Sequence, residues 1–206
     1  MDKKIKNLII DFGGVLIDLD RPRCIEHFRR LGMDNVEQML DVCHQQGFFL
    51  QHEKGLIDAA EFRNRIQACI GRPVSDEQID EAWNSFLIGI PSYKLDLLLE
   101  LRKHYVVYLL SNTNDIHWEW SLEYAFHYKS FHVEDFFEEI FLSFEMKTAK
   151  PDAEIFQRLL AETGIDPKES FFIDDSEENC RTARSLGIST YTPKAREDWS
   201  HLFDQA

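Results

Sequence analysis

The sequence predicts an α/β protein: a parallel sheet with helices on both faces, and an all-helical block inserted after the first strand. Three observations carry this expectation. A short apolar run, Asn7-Leu8-Ile9-Ile10, ends on Asp11-Phe12-Gly13-Gly14, as a buried strand running into a turn does. From about residue 18 to residue 91, every periodic segment has helical spacing. Beyond Pro91, strand-like and helix-like segments alternate.

The first strand puts Asp11 at its carboxyl end, where ligands bind in open parallel sheets. Gly13 and Gly14 leave the backbone bare there, so a phosphate or a metal can come close. In the inserted block, Ile25, Phe28 and Leu31 share one helical face, and Gly32 follows as a stop. Val36, Met39, Leu40 and Cys43 repeat at i, i+3, i+4 and i+7 and predict a second helix. Asp58-Ala59-Ala60-Glu61 and Ser75-Asp76-Glu77-Gln78 resemble capping boxes. Phe62 and Ile66 continue the first of these helices; Ile79, Ala82, Trp83 and Phe86 form the apolar stripe of the second. Four short amphipathic helices with no strand between them read as a small bundle over the carboxyl edge of the sheet.

After Pro91 the period changes. Ser92 to His104 is a leucine-rich helix, and Tyr105-Val106-Val107-Tyr108-Leu109-Leu110 a strand that runs into Ser111-Asn112-Thr113-Asn114. The aromatic stretch from Asp115 to Phe137 is expected to be helical, and Glu139 to Ser143 to be a third strand. Pro151 suits the first position of a helix over Asp152 to Thr163. Phe171-Phe172-Ile173 is a strand ending at Asp174-Asp175; Ser176 caps a helix that stops at Gly187, and Ile188 to Tyr191 is the last strand.

Bulk properties narrow the function. A length of 206 residues suits one domain with an insertion. The net charge of −14, with no Lys/Arg cluster, argues against nucleic acid or an anionic membrane as partner. A phosphorylated ligand stays open, because one lysine and a bound cation reverse the local field. Cys24, Cys43, Cys69 and Cys180 form no metal-like pattern and are expected to be reduced and structural. Met1-Asp2-Lys3-Lys4-Ile5-Lys6 has no leader-like apolar core, and no stretch is apolar for long enough to span a bilayer, so a cytoplasmic location is expected.

Polar residues terminate successive strands: Asp11, then Ser111 and Asn112, then Asp174 and Asp175, with Lys150 ahead of a helix. In a parallel sheet these ends lie side by side. Carboxylates, a hydroxyl and a lysine suit phosphoryl transfer. Mg²⁺ takes carboxylate and carbonyl oxygens, and a carboxylate attacks phosphorus once positive charge screens the phosphate. Lys147 competes with Lys150 for the lysine role, and the adjacency to Pro151 favours Lys150.

Asp11-Phe12-Gly13-Gly14-Val15, Ser111-Asn112, Lys150-Pro151 and Asp174-Asp175 resemble, in order and spacing, the four motifs of the haloacid dehalogenase-like (HAD) hydrolase superfamily. The resemblance covers essentially the whole chain. Within the superfamily it is nearest to the bacterial alpha-D-glucose-1-phosphate phosphatase-like sugar phosphatases, through Gly13, Gln51-His52-Glu53-Lys54-Gly55, Ser111-Asn112-Thr113-Asn114 and Phe172-Ile173-Asp174-Asp175 with Asn179. It implies a Rossmann-like catalytic core over residues 1–17 and 92–206 and a helical cap domain over 18–91. It also implies a Mg²⁺-dependent phosphatase of a small phosphorylated metabolite, a monomer or homodimer. The resemblance makes Asp11 the nucleophile and a metal ligand, and the Gly13 carbonyl a second ligand. Gly13, Gly14, Ser111 and Asn112 hold phosphate oxygens, and Lys150 neutralises nucleophile and phosphate. Asp175 binds metal directly, and Asp174 does so directly or through water.

One departure stands out. Most phosphatases of the superfamily carry an acid–base aspartate two residues after the nucleophile, where this chain has Gly13. A readily departing leaving group, or a proton from His52 or Glu53 in the cap, would meet the deficit. A His-Glu pair in such a helix is more commonly a solvated face. The aromatics Trp118, Trp120, Tyr124, Phe126, Tyr128 and Phe131 suit a helix core, a sugar-stacking wall or a dimer patch. Two rival functions use the same residues: metal-independent haloacid dehalogenation, which leaves Asp174-Asp175 unexplained, and a catalytically weak module that binds a phosphorylated ligand or a partner.

Overall fold

In this computed structural model, which describes residues 2–40 and 46–203, β1 (Asn7–Ile10) is the central strand of a five-stranded sheet. The inserted block holds β2 (Asp18–Leu19), α1 (Arg21–Leu31), α2 (Gly47–Glu53), α3 (Ala59–Ile70), α4 (Asp76–Asn84) and β3 (Leu87–Gly89). There follow α5 (Ser92–Leu101), β4 (Val106–Ser111), α6 (Asp115–Trp120), α7 (Val133–Phe136), β5 (Glu139–Leu142) and α8 (Ser143–Met146). The chain continues through α9 (Ala153–Thr163), β6 (Ser170–Ile173), α10 (Glu177–Ser185) and β7 (Ser189–Tyr191). The strand order is β5-β4-β1-β6-β7, and every neighbouring pair is parallel. All carboxyl ends therefore lie along one edge. Asp11, Ser111 and Asp174 end or directly follow the three central strands.

Side chains alternate across the sheet, as the pleat requires. Leu8, Ile10, Val107, Leu109 and Ile173 pack with Leu95, Leu98 and Leu101 of α5. Ile9, Tyr108, Leu110 and Phe172 face the other way, onto Phe156 and Leu159 of α9 and Ala183 of α10. The inserted block joins the first cluster through Phe28, Phe49, Phe62 and Trp83. Phe49 lies edge-on to Phe62 and to Trp83, with ring centroids 5.1 Å apart in each case.

The caps read from the sequence form. Ser75 and Gln78 exchange both bonds of a capping box, and the Asp58 carboxylate accepts from Glu61 N–H at 2.8 Å. Four other expectations are corrected, the last of them at Pro151. The block is not free of strands: β2 and β3, at its two ends, pair antiparallel as a short ribbon. Val36–Gln38 makes only one 3₁₀ turn in place of the predicted helix, and Cys43 lies outside the described residues. The helix expected over Asp115 to Phe137 breaks after α6. There the Ser121 hydroxyl donates to the His117 carbonyl (2.6 Å), and the turn over Ser121–Ala125 widens, closed by Phe126 N–H on Ser121 O (2.9 Å).

Pro151 precedes rather than opens its helix, and the Lys150–Pro151 peptide is cis. Cys24 and Cys180 are buried free thiols. Among the described residues, no helix is long and apolar enough to cross a membrane.

Phe62 is fully buried in the aromatic cluster that joins the block to the rest of the fold. Phe62→Ala should lower the unfolding free energy by about 3–5 kcal/mol, read by urea denaturation; a loss below about 1 kcal/mol would contradict this packing.

Candidate active site

The carboxyl edge of the sheet gathers the charged residues. Asp11 follows β1, and Asp174 and Asp175 follow the adjacent β6. Lys150 reaches them from the loop between α8 and α9. Its ammonium donates to Asp11 Oδ1 (2.6 Å), Asp174 Oδ2 (2.7 Å) and the Leu110 carbonyl (2.9 Å), which satisfies all three N–H groups. The loop itself is fixed by Asn112. Its side-chain amide donates to the Lys150 carbonyl and accepts from Lys150 N–H, both at 2.8 Å. Lys147, the competing lysine, is turned elsewhere and donates to the Gly55 carbonyl at 2.8 Å.

Burial opposes the charge on each of these groups. It pushes the Asp11 carboxyl well above the usual carboxylate range; the Lys150 ammonium opposes the shift, and Asp174 and Asp175 add to it. Asp175 rises to about 6, first through burial and then through Asp174. Burial also weighs against the Lys150 ammonium, but Asp11 and Asp174 outweigh it and hold its pKa above the ordinary lysine value. Asp11, Asp174 and Asp175 each offer an oxygen within 4.8 Å of the others. This all-oxygen set fits Mg²⁺ or another hard divalent cation. Asp174 already accepts from Ser176 N–H (2.8 Å) and the Asn179 amide (3.0 Å) as well as from Lys150, which leaves Asp175 the freer ligand.

Gly14 shows how closely this cluster is packed. Its φ is +74°, and a Cβ there would lie 2.2 Å from Asp175 Oδ2. Gly14 therefore makes room for Asp175 and does not line the cavity, whereas Gly13 does.

The cavity above Asp11 has a volume of about 50 Å³. Asp11, Gly13, Asn112, Lys150 and Asp175 line it from the sheet edge; Leu19, Glu53, Phe86 and Leu87 belong to the inserted block. Ser111 ends β4 fully buried, and its hydroxyl has no partner among the described residues. His52 and Glu53, adjacent on α2, point to different surroundings, as neighbours on a helix must. His52 does not reach the cavity: its Nε2 meets Asp115 Oδ1 at 2.6 Å and its ring stacks on Phe62. Glu53 is buried in the cavity wall, where desolvation pushes its carboxyl up to about 8 against a smaller pull from Lys150. Neither residue forms the solvated face that helical composition suggests.

The segment that carries Glu53 is bonded to the sheet side. Ser143 accepts from Thr113 N–H (2.9 Å) and donates to the Glu53 carbonyl (2.6 Å), and Lys54 pairs with Asp152 at 2.8 Å. Gly55 has φ +58°, and a Cβ there would lie 2.0 Å from the Phe144 carbonyl. Ser143 carries no sequence signal for this role, and Asn114 stands in the sequence only as part of Ser111-Asn112-Thr113-Asn114. Asn114 Oδ1 accepts from both Trp83 Nε1 (3.3 Å) and His117 N–H (3.0 Å), which ties the block to α6. The aromatics Trp118 and Phe126 pack against Phe12, and none of the six candidate aromatics lines the cavity.

Known proteins share this architecture. Residues 5–187 match the haloacid dehalogenase-like hydrolase family. A D-ribitol-5-phosphate phosphatase of Bacteroides thetaiotaomicron is 36% identical over 195 residues, 95% of each chain. The structure is similar to that of a HAD family enzyme of the same organism, crystallised with magnesium and inorganic phosphate. The two are 64% identical with a TM-score of 0.92, over 97% of this chain and 99% of the other. A HAD-like hydrolase from Porphyromonas gingivalis is 34% identical, with a TM-score of 0.90 over 98% and 100% of the two chains. Matched along nearly all its length, by sequence and by fold, the chain belongs to the haloacid dehalogenase-like hydrolase family.

Proposed function

We propose that this protein is a Mg²⁺-dependent phosphoric monoester hydrolase that acts on a small sugar or polyol phosphate through an aspartyl-phosphate on Asp11. One observation carries the reading: Asp11 and Asp174 share the Lys150 ammonium at 2.6 and 2.7 Å, and Asp175 stands close enough for the three carboxylates to meet at one cation. The relatives support the finer statements. One is a D-ribitol-5-phosphate phosphatase, and a 64% identical enzyme binds magnesium with inorganic phosphate.

In this reading Asp11, Asp175 and the Gly13 carbonyl hold Mg²⁺, with Asp174 acting directly or through water. Bound Mg²⁺ supplies positive charge that offsets the phosphate's negative oxygens. Asp11 attacks phosphorus with a carboxylate oxygen, and Lys150 together with the bound cation would oppose the burial that favours its protonated form. The orphaned Ser111 hydroxyl and the backbone at Asn112 and Gly13 hold phosphate oxygens, and Lys150 neutralises the charge that builds between nucleophile and phosphate; Gly14, expected to join them, has its N–H bonded to the Ile17 carbonyl at 2.9 Å and stands outside the cavity. The chain divides into a catalytic core of residues 1–17 and 92–206 and a cap of 18–91; the β2–β3 ribbon at the two ends of the block supports that boundary. The protein works in the cytoplasm as a monomer or homodimer, with no nucleic-acid or membrane partner.

A screen of metabolite phosphates with free phosphate as readout tests the reading. Turnover should stop on chelation and return with Mg²⁺, and Asp11→Asn should reduce it to background. Turnover of a 2-haloacid that survives chelation would replace this reading with dehalogenation. Lys150→Met should lower kcat by about 10²–10³-fold, since it removes a fixed positive charge from the reacting centre. Gly14→Ala should weaken Mg²⁺ binding, read by calorimetry, because its Cβ displaces the Asp175 carboxylate; unchanged affinity would remove Asp175 from the metal site.

A further inference from the structure

A phosphomonoester of an ordinary alcohol needs a proton on its departing oxygen, because an alkoxide leaves poorly. Gly13 has no side chain to give one. The titratable groups among the described residues that line the cavity are Asp11, Glu53, His117, Lys150 and Asp175. Asp11 is engaged in attack, Lys150 spends all three N–H groups on fixed acceptors, and Asp175 belongs to the carboxylate cluster. His117 is buried and its Nε2 meets the Trp83 carbonyl at 3.1 Å, so the hydrogen sits on Nε2 and points at the backbone. Glu53 is left. It enters the cavity from the C-terminal end of α2, and its carboxyl makes no hydrogen bond or ion pair among the described residues.

We infer that Glu53 is the catalytic acid and base of the proposed hydrolase, supplied by the inserted block in place of a side chain at position 13. The assignment rests on the phosphatase reading above. In the first step an Asp11 oxygen bonds to phosphorus, the bond from phosphorus to the substrate oxygen breaks, and the Glu53 proton passes to that oxygen. The products are the free alcohol, the aspartyl-phosphate and a Glu53 carboxylate. In the second step water attacks phosphorus and gives a proton to Glu53. The Asp11–phosphorus bond then breaks, which releases phosphate and restores both carboxyl groups.

Two further observations support the role. Burial pushes the Glu53 carboxyl up to about 8, so it carries its proton at neutral pH. The Ser143 bond to its carbonyl fixes the end of α2 against the sheet side, so the carboxyl is presented from a held backbone. The groups around it are Lys150, Asp11, Asp175 and His117 in the cavity and the adjoining His52–Asp115 pair. Lys54 and Lys147 are engaged with Asp152 and the Gly55 carbonyl, and of all these Lys150 is the one that pulls on Glu53.

The test compares Glu53→Gln with the unaltered enzyme, both loaded with Mg²⁺, on three substrates: 4-nitrophenyl phosphate, n-propyl phosphate and a pentitol 5-phosphate. The nitrophenolate departs without protonation, whereas the other two leave as alcohols, and only the last has hydroxyls to recognise. In single turnovers, the rate of leaving-group release should fall about 10²–10⁴-fold in Glu53→Gln on both alkyl phosphates and stay within about threefold on the aryl phosphate, whereas hydrolysis of the aspartyl-phosphate, which needs the base, should slow on all three. Glu53→Asp, which keeps a proton donor, should recover part of the alkyl activity. In the unaltered enzyme, alkyl kcat should fall as pH rises through about 8 while aryl kcat does not. This arm decides the matter even if Glu53→Gln fails to fold. Equal losses of leaving-group release on all three substrates, a loss confined to the pentitol phosphate, or an alkyl profile flat through that pH would overturn the assignment. No Mg²⁺-dependent aryl phosphatase activity in the unaltered protein would remove the hydrolase reading, and the assignment with it.

Discussion

A single ammonium group sits fully buried between two carboxylates, and the arrangement of the site follows from it. Taking Lys150, Asp11 and Asp174 out of water costs several kcal/mol per ion, a cost offset only by close mutual contact. That contact exists because β1 and β6 are neighbours and parallel, so the residues that follow them emerge side by side. Asn112, after the strand on the other side of β1, grips the backbone of Lys150 from the third direction. Three carboxylates against one ammonium leave two uncompensated negative charges, the number that one divalent cation carries. The Lys150 ammonium pulls against the burial and the neighbouring carboxylates that together hold the Asp11 carboxyl above the usual carboxylate range.

The inserted block completes the cavity that the sheet edge begins. Its aromatic cluster of Phe28, Phe49, Phe62 and Trp83 makes it a packed body rather than a flexible flap. It touches the sheet side through specific polar contacts: Trp83 with Asn114, His52 with Asp115, Glu53 with Ser143, and Lys54 with Asp152. These set which side chains face inward. Glu53 is inside and His52 outside because α2 is pinned at its C-terminal end and stacked on Phe62.

Much of this was legible in the sequence, for identifiable reasons. The strands before Asp11, Ser111 and Asp174 are β-branched or aromatic runs that end on polar breakers, so both the element and the position of the chemistry could be read together. Helices α1 and α3 carry start and stop residues, Asp20 with Gly32 and Asp58 with Gly71, and α4 opens on the Ser75 capping box. The 3₁₀ turn at Val36–Gln38 imitated a helix because helical spacing says nothing about whether a partner surface exists. Helix α2 was hidden by the adjacent Phe48 and Phe49, which follow no helical stripe, and the β2–β3 ribbon is too short to have a period. The contributions of Ser143, Asn114 and Asn112 lie in bonds between residues far apart in the chain, for which one sequence holds no signal.

The pairing of β2 with β3 has a consequence for how such a chain can change. Because the two crossings between core and block lie next to each other, residues 18–91 can change in length without rerouting the chain on either side, provided the shared packing and the contacts to Asn114, Asp115, Ser143 and Asp152 are kept. The Asp11, Lys150 and Asp174 positions stay set by the sheet alone. In the proposed hydrolase, selection of the substrate and cleavage of its phosphate would then be written on separable stretches, and a new preference would need a remodelled roof over unchanged machinery. Glu53 in its proposed role is the exception, for it hangs from the roof, so remodelling there would alter the reaction as well as the choice of molecule.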